Sequence, residues 1–82
     1  MLPKFTAIIG FFTASVSANY ACTVTENNVN FRAGPGTNFK SYGQVNRGQN
    51  LEYIWYENGW VHGNLWGGRA DVWIANKFLK CP

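Results

Sequence analysis

Few side chains in this sequence have the chemistry to attack, protonate or ligate. The carboxylates are Glu26, Glu52, Glu57 and Asp71, the single imidazole is His62, and the thiols are Cys22 and Cys81. Glycoside hydrolysis needs two carboxyl groups about 5–10 Å apart across a cleft. Glu52 and Glu57 are five positions apart on one expected strand and its turn, so they point differently and no pair is imposed. Ser41 has no base with an orienting acid beside it, so a nucleophilic triad is not written here either. A lone His62 with no second His or Cys nearby makes no metal site and reads as an exposed strand residue. The expectation is a non-catalytic chain without cofactor or metal.

What the chain does carry is flat surface, with four Trp, four Tyr and several Asn. Aromatic faces against the apolar faces of pyranose rings, with planar amides reading hydroxyl and N-acetyl groups, are the chemistry of sugar recognition. Small β-barrels also need aromatics inside, so half or more of these rings are expected to be buried. Trp66 lies in Asn64-Leu65-Trp66-Gly67-Gly68, where no alternation buries it, and is the first exposed candidate. Tyr42, Tyr56 and Trp60 follow as stacking partners in one shallow groove, with Asn30 and Arg32 supplying planar hydrogen bonds. Trp73 and Phe78 read as core residues that close the domain. Arg32 has a structural role open to it as well, tying its loop to backbone carbonyls or to a carboxylate such as Asp71.

The elements that must position these groups read as strands. No segment sustains a 3.6-residue period, and short runs bounded by turn formers dominate. Val29–Arg32 alternates and precedes the loop signal Ala33-Gly34-Pro35-Gly36-Thr37-Asn38. Tyr42–Val45 and Leu51–Tyr56 follow; in the second, alternation puts Leu51, Tyr53 and Trp55 on one face and Glu52, Ile54 and Tyr56 on the other, although Trp55 lies near the strand end, where alternation can break. Asn58-Gly59 is a favoured hairpin dipeptide, with Trp60–Asn64 returning from it. Val72–Ile74 closes the set, and Ala75–Leu79 has room for one helical turn. The fold class is all-β, a small barrel of about five short strands.

Eighty-two residues accommodate one small domain. The charge of +3 comes from scattered basic residues, which is not the footprint of a nucleic-acid binder. Residues 1–18 read as a secretory signal peptide: Lys4 supplies the positive start, Phe5–Val16 is uncharged and apolar, and Val16-Ser17-Ala18 supplies the cleavage site. The stretch is shorter than the roughly 20 apolar residues that span a bilayer, so a membrane anchor is disfavoured. The expected mature chain, from Asn19, is a secreted, extracellular monomer. In that compartment Cys22 and Cys81 should pair, because no other connectivity exists within the chain. Closing a loop of about 60 residues stabilises by about 4 kcal/mol.

Val29-Asn30-Phe31-Arg32-Ala33-Gly34-Pro35-Gly36-Thr37-Asn38-Phe39 resembles the opening of bacterial-type SH3 (SH3b) domains, hydrophobic-N-hydrophobic-R-x-G-P-x-T-x-aromatic. Gly43-Gln44-Val45, Arg47-Gly48 and Asn58-Gly59-Trp60 then fall in the family's order. Val72-Trp73-Ile74-Ala75-Asn76-Lys77-Phe78-Leu79 is similar to its closing G-W-V-x-x-x-Y-L. Small secreted fungal cell-wall-binding modules share this plan, although Phe31 stands where those modules often carry Cys, and Val72 replaces the usual Gly. The resemblance implies an SH3-like barrel over residues 29–82, preceded by an N-terminal segment, 19–28, that carries Cys22. It implies a module that holds cell-wall polysaccharide, either peptidoglycan or chitin-like oligomers. An alternative is a secreted interaction or effector protein that binds a protein or peptide through an SH3-like groove.

Overall fold

The computed structural model describes residues 20–82; the expected signal peptide over 1–18 and its expected cleavage site lie outside the described residues. Seven strands form one antiparallel sheet: β1 (Ala21–Val24), β2 (Val29–Arg32), β3 (Ser41–Val45), β4 (Asn50–Glu57), β5 (Trp60–Leu65), β6 (Val72–Ala75) and β7 (Leu79–Lys80). Their order across the sheet is β3-β2-β6-β5-β4-β1-β7, and a single 3-10 turn, Asn76–Phe78, links β6 to β7. The five strands and the one helical turn legible in the sequence are present. The two additional strands, β1 and β7, join the ends of the domain, pairing Thr23 with Lys80 and Val24 with Leu79. The Cys22–Cys81 disulfide forms beside them, with Cα atoms 4.1 Å apart. Residues of the expected N-terminal segment therefore contribute a strand to the sheet.

The sheet bends around one core made of Val24, Val29, Leu51, Val61, Leu65, Val72 and Ile74. These positions follow the two-residue strand period, as in β5, where Val61, Gly63 and Leu65 are buried between half-buried neighbours. No aromatic residue among the described residues is fully buried, so the expectation that half or more of the rings fill the core is overturned. Phe31, Tyr42, Tyr53 and Phe78 only lean against the aliphatic cluster. The inward positions are taken by Val, Leu and Ile, which leaves the rings at the margin of the core. A Cβ at Gly63 would overlap the Glu52 carbonyl oxygen and press on Leu51, so β4 and β5 meet where even a methyl group has no room.

β4 does not alternate to its end. A bulge between Tyr53 and Trp55 sets Tyr53 opposite Gly63 but Trp55 opposite His62 and Tyr56 opposite Val61. One extra residue, Ile54, moves every later side chain to the other face. Trp55 thus leaves the face of Leu51 and Tyr53 that simple alternation assigned to it, and it is 58% exposed.

Candidate functional site

Three local structures meet to form a groove of about 610 Å³: the outward side of β2, the β4–β5 hairpin turn, and the 3-10 turn after β6. Asn58 and Gly59 both take the left-handed backbone, with φ of 50° and 87°, the geometry of a two-residue hairpin turn matched to strand twist. Trp60 consequently begins β5 at the groove wall. The Asn76 N–H donates to the Gly59 carbonyl at 2.8 Å, fixing the 3-10 turn against the hairpin. Trp60 and Phe78 supply rings, Asn28, Asn30, Asn58 and Asn76 supply primary amides, and Arg32 and Lys77 supply positive charge. No carboxylate lines the groove.

The polar groups are partly committed. Asn30 Oδ1 accepts from Ser41 Oγ at 2.9 Å and from Gln44 Nε2 at 3.5 Å. That arrangement holds the amide in place and leaves its Nδ2 donor without a partner among the described residues. Arg32 Nη1 donates to the carbonyls of Phe39 at 3.2 Å and Thr37 at 3.4 Å, tying down the loop between β2 and β3. Its Nε is buried and has no acceptor, an unmet donor at the groove wall. Arg32 is thus the structural tie that its position suggested, but to carbonyls and not to Asp71. That carboxylate is taken by His62, whose Nε2 donates to Oδ1 at 2.6 Å.

Of the six residues singled out from the sequence, the structure brings together Asn30, Arg32 and Trp60. The other three stand apart. Tyr42 packs against the core with the Arg69 guanidinium 3.6 Å above its ring, so that face is covered. Tyr56 is 49% exposed on β4 opposite Val61 and is not among the groove residues. Trp66 is 54% exposed just beyond the far end of β5. Six residues of extended chain place it about 20 Å along the strand from Trp60. One shallow groove containing Trp66, Tyr42, Tyr56 and Trp60 together is therefore not formed.

Sequence reasoning missed Phe78 as a groove wall and the ring of asparagines around it. It also placed Trp73 in the core, which the structure corrects. Val72 and Ile74 point inward, while Trp73 pairs outward opposite His62 and Arg32. Its indole stacks on the His62 imidazole, with centroids 4.8 Å apart and planes 20° from parallel. The run Val72-Trp73-Ile74 hides this because an aromatic between two aliphatics shows no polar alternation. The usable signal lay on the neighbouring strand, where Trp60, His62 and Asn64 alternate with Val61, Gly63 and Leu65.

Among the described residues no group of three or more His, Cys, Asp or Glu is arranged to hold a metal ion. No curated protein and no solved structure matches the chain. The family model described as the bacterial SH3 domain matches residues 27–80, from the turn before β2 through β7, and so takes in the groove, the bulged strand and the closing 3-10 turn. Domains of this family are typically cell-wall binding modules. With well over half its length under that match and a small, strand-built barrel to go with it, the chain belongs to the bacterial SH3 domain family.

Proposed function

We propose that the protein is a secreted, non-catalytic module that holds an amino-sugar polymer of the cell wall, peptidoglycan or chitin-like, in the groove beside Trp60. The carrying observation is the groove's composition: two aromatic rings among four primary amides and a guanidinium, with no carboxylate. The rings suit the apolar faces of pyranoses, and the amides match the hydroxyl and N-acetyl groups at their rims. Hydrolysis of a glycosidic bond requires a carboxyl pair astride it, and this lining offers none, so it is suited to hold the sugar without cleaving it. Typical membership of the family in wall binding points the same way. The leader-like residues 1–18 and a disulfide, which persists in oxidising compartments, support export.

Calorimetric titration of the full chain with N-acetylglucosamine oligomers and with soluble peptidoglycan fragments tests this reading. Binding should be saturable and should weaken about tenfold or more in Trp60→Ala, as for an aromatic anchor. Full-strength binding by Trp60→Ala, or capture of proline-rich peptides in preference to both sugars, refutes it.

A further inference from the structure

We propose that the outward face of the sheet next to the groove is a second subsite, selective for the free-amine form of the same polymer, in which glucosamine units carry protonated amino groups. The inference rests on the amino-sugar reading above and adds to it a division of labour between two neighbouring surfaces.

The face is built by register. On β5, Trp60, His62 and Asn64 point outward, opposite Glu57, Trp55 and Glu52 of β4. On the other flank His62 meets Trp73, which in turn lies opposite Arg32 of β2. A row running Trp55, His62, Trp73, Arg32 therefore crosses four paired strands. It joins the groove at Arg32, while Trp60, one outward position along β5 from His62, joins it a second time. Trp55 is 58% exposed, and the Trp73–His62 stack supplies a second flat apolar element.

Charge identifies the occupant. The chain is net positive, yet three of its four carboxylates, Glu52, Glu57 and Asp71, gather around this face. None of the three has a Lys or Arg partner among the described residues, whereas Glu26, elsewhere, reaches Arg47 at 3.9 Å. Asn64 links Glu52 and Asp71: its Nδ2 donates to Glu52 Oε1 at 3.0 Å and its Oδ1 accepts from the Asp71 backbone N–H at 2.8 Å, while the Asp71 carboxylate itself is held by His62 Nε2 at 2.6 Å. A ligand that matches both the rings and the fixed negative charge presents apolar faces and ammonium groups together, as glucosamine does. The groove has the opposite character, with Arg32 and Lys77 and no carboxylate, so it favours acetylated units and disfavours ammonium.

A basic peptide also combines cations with apolar surface, but the architecture is poorly suited to one. Strand addition needs an open edge, and this row crosses strands whose backbones are already paired. Proline-rich segments need slots between aromatic rings, and here His62 fills the space beside Trp73.

The experiment titrates the full chain with glucosamine and N-acetylglucosamine oligomers of equal length, at low and high salt, with a basic proline-rich peptide as third ligand. The glucosamine oligomer should bind more tightly at low salt, and this preference should shrink at high salt. In Glu52→Gln/Asp71→Asn the affinity ratio of glucosamine to N-acetylglucosamine oligomer should fall about fivefold. Trp55→Ala should weaken glucosamine binding about tenfold. If the double variant loses its native circular dichroism, the single Glu52→Gln, at an exposed position, gives the same reading at smaller amplitude. An unchanged ratio in a folded carboxylate variant, or tighter binding of the peptide than of either sugar, overturns the proposal. Loss of N-acetylglucosamine binding in the unsubstituted chain, or its indifference to Trp60→Ala, marks failure of the underlying amino-sugar reading instead.

Discussion

Along β5, Val61, Gly63 and Leu65 face inward while Trp60, His62 and Asn64 face outward. The inward set is aliphatic or bare, and its neighbours in the core are aliphatic too. The outward set carries rings and an amide, faces Trp55 and Trp73 on the adjacent strands, and reaches the groove at one end. In many small domains the same large rings serve both stability and recognition, so a change to one disturbs the other. Here the two tasks lie on opposite sides of one strand. On this strand cohesion comes from branched aliphatics and the rings face outward, while Phe31, Tyr42, Tyr53 and Phe78 on other elements still pack against the core.

That separation can be broken from the inside first. Removing the bridge in Cys22→Ala/Cys81→Ala should cost about 4 kcal/mol in urea unfolding, by releasing the loop constraint on the unfolded chain. At temperatures where that variant stays folded, affinity for N-acetylglucosamine oligomers should be close to that of the parent. Leu51→Ala, at a fully buried site, should cost about 3 kcal/mol of stability, read from the same unfolding curves. A loss of sugar affinity in the folded form of either variant would show that the faces are coupled.

From the outside, Trp60→Ala should remove about 2 kcal/mol of binding free energy, measured calorimetrically, with a far smaller change in thermal midpoint. Trp66→Ala sharpens the comparison at the smallest scale. Its ring stands outside the groove, so short oligomers should bind it unchanged, while a long polymer running along β5 should lose about 1 kcal/mol. A large loss with short oligomers would move the site to the Trp66 end of the strand.

How far the sequence disclosed all this depends on the range of the interactions involved. The Asn58-Gly59 turn and the strands on either side of it are local, and their residues announce them. β7 is only two residues long and exists because Val24 and Thr23 come back to it across the whole chain, a pairing that no local pattern encodes. The bulge at Ile54 has the same effect on Trp55, since one unpaired residue is invisible until the partner strand is known. Asn30, Arg32 and Trp60 could be picked out because they flank turns. Phe78 and Asn76 could not, because they become groove walls only when the Asn76 N–H finds Gly59. Trp73 misleads for a related reason: flanked by Val72 and Ile74, it looks like core until His62 is seen lying against it.

The exclusion of every indole from the interior also sets what light can report about this molecule. Trp55 and Trp66 are more than half exposed, and Trp60 and Trp73 are half-buried on the outer face of the sheet. Indole emission tracks the polarity around the ring, so unfolding, which usually moves tryptophan from an apolar interior into water, has such a transfer to register only from the half-buried Trp60 and Trp73. Covering the outer face with a ligand does the reverse, drawing rings out of water while the fold stays as it was. In this protein intrinsic fluorescence should therefore report a bound sugar through Trp55 and Trp60 as well as unfolding through Trp60 and Trp73, the two shifting in opposite directions.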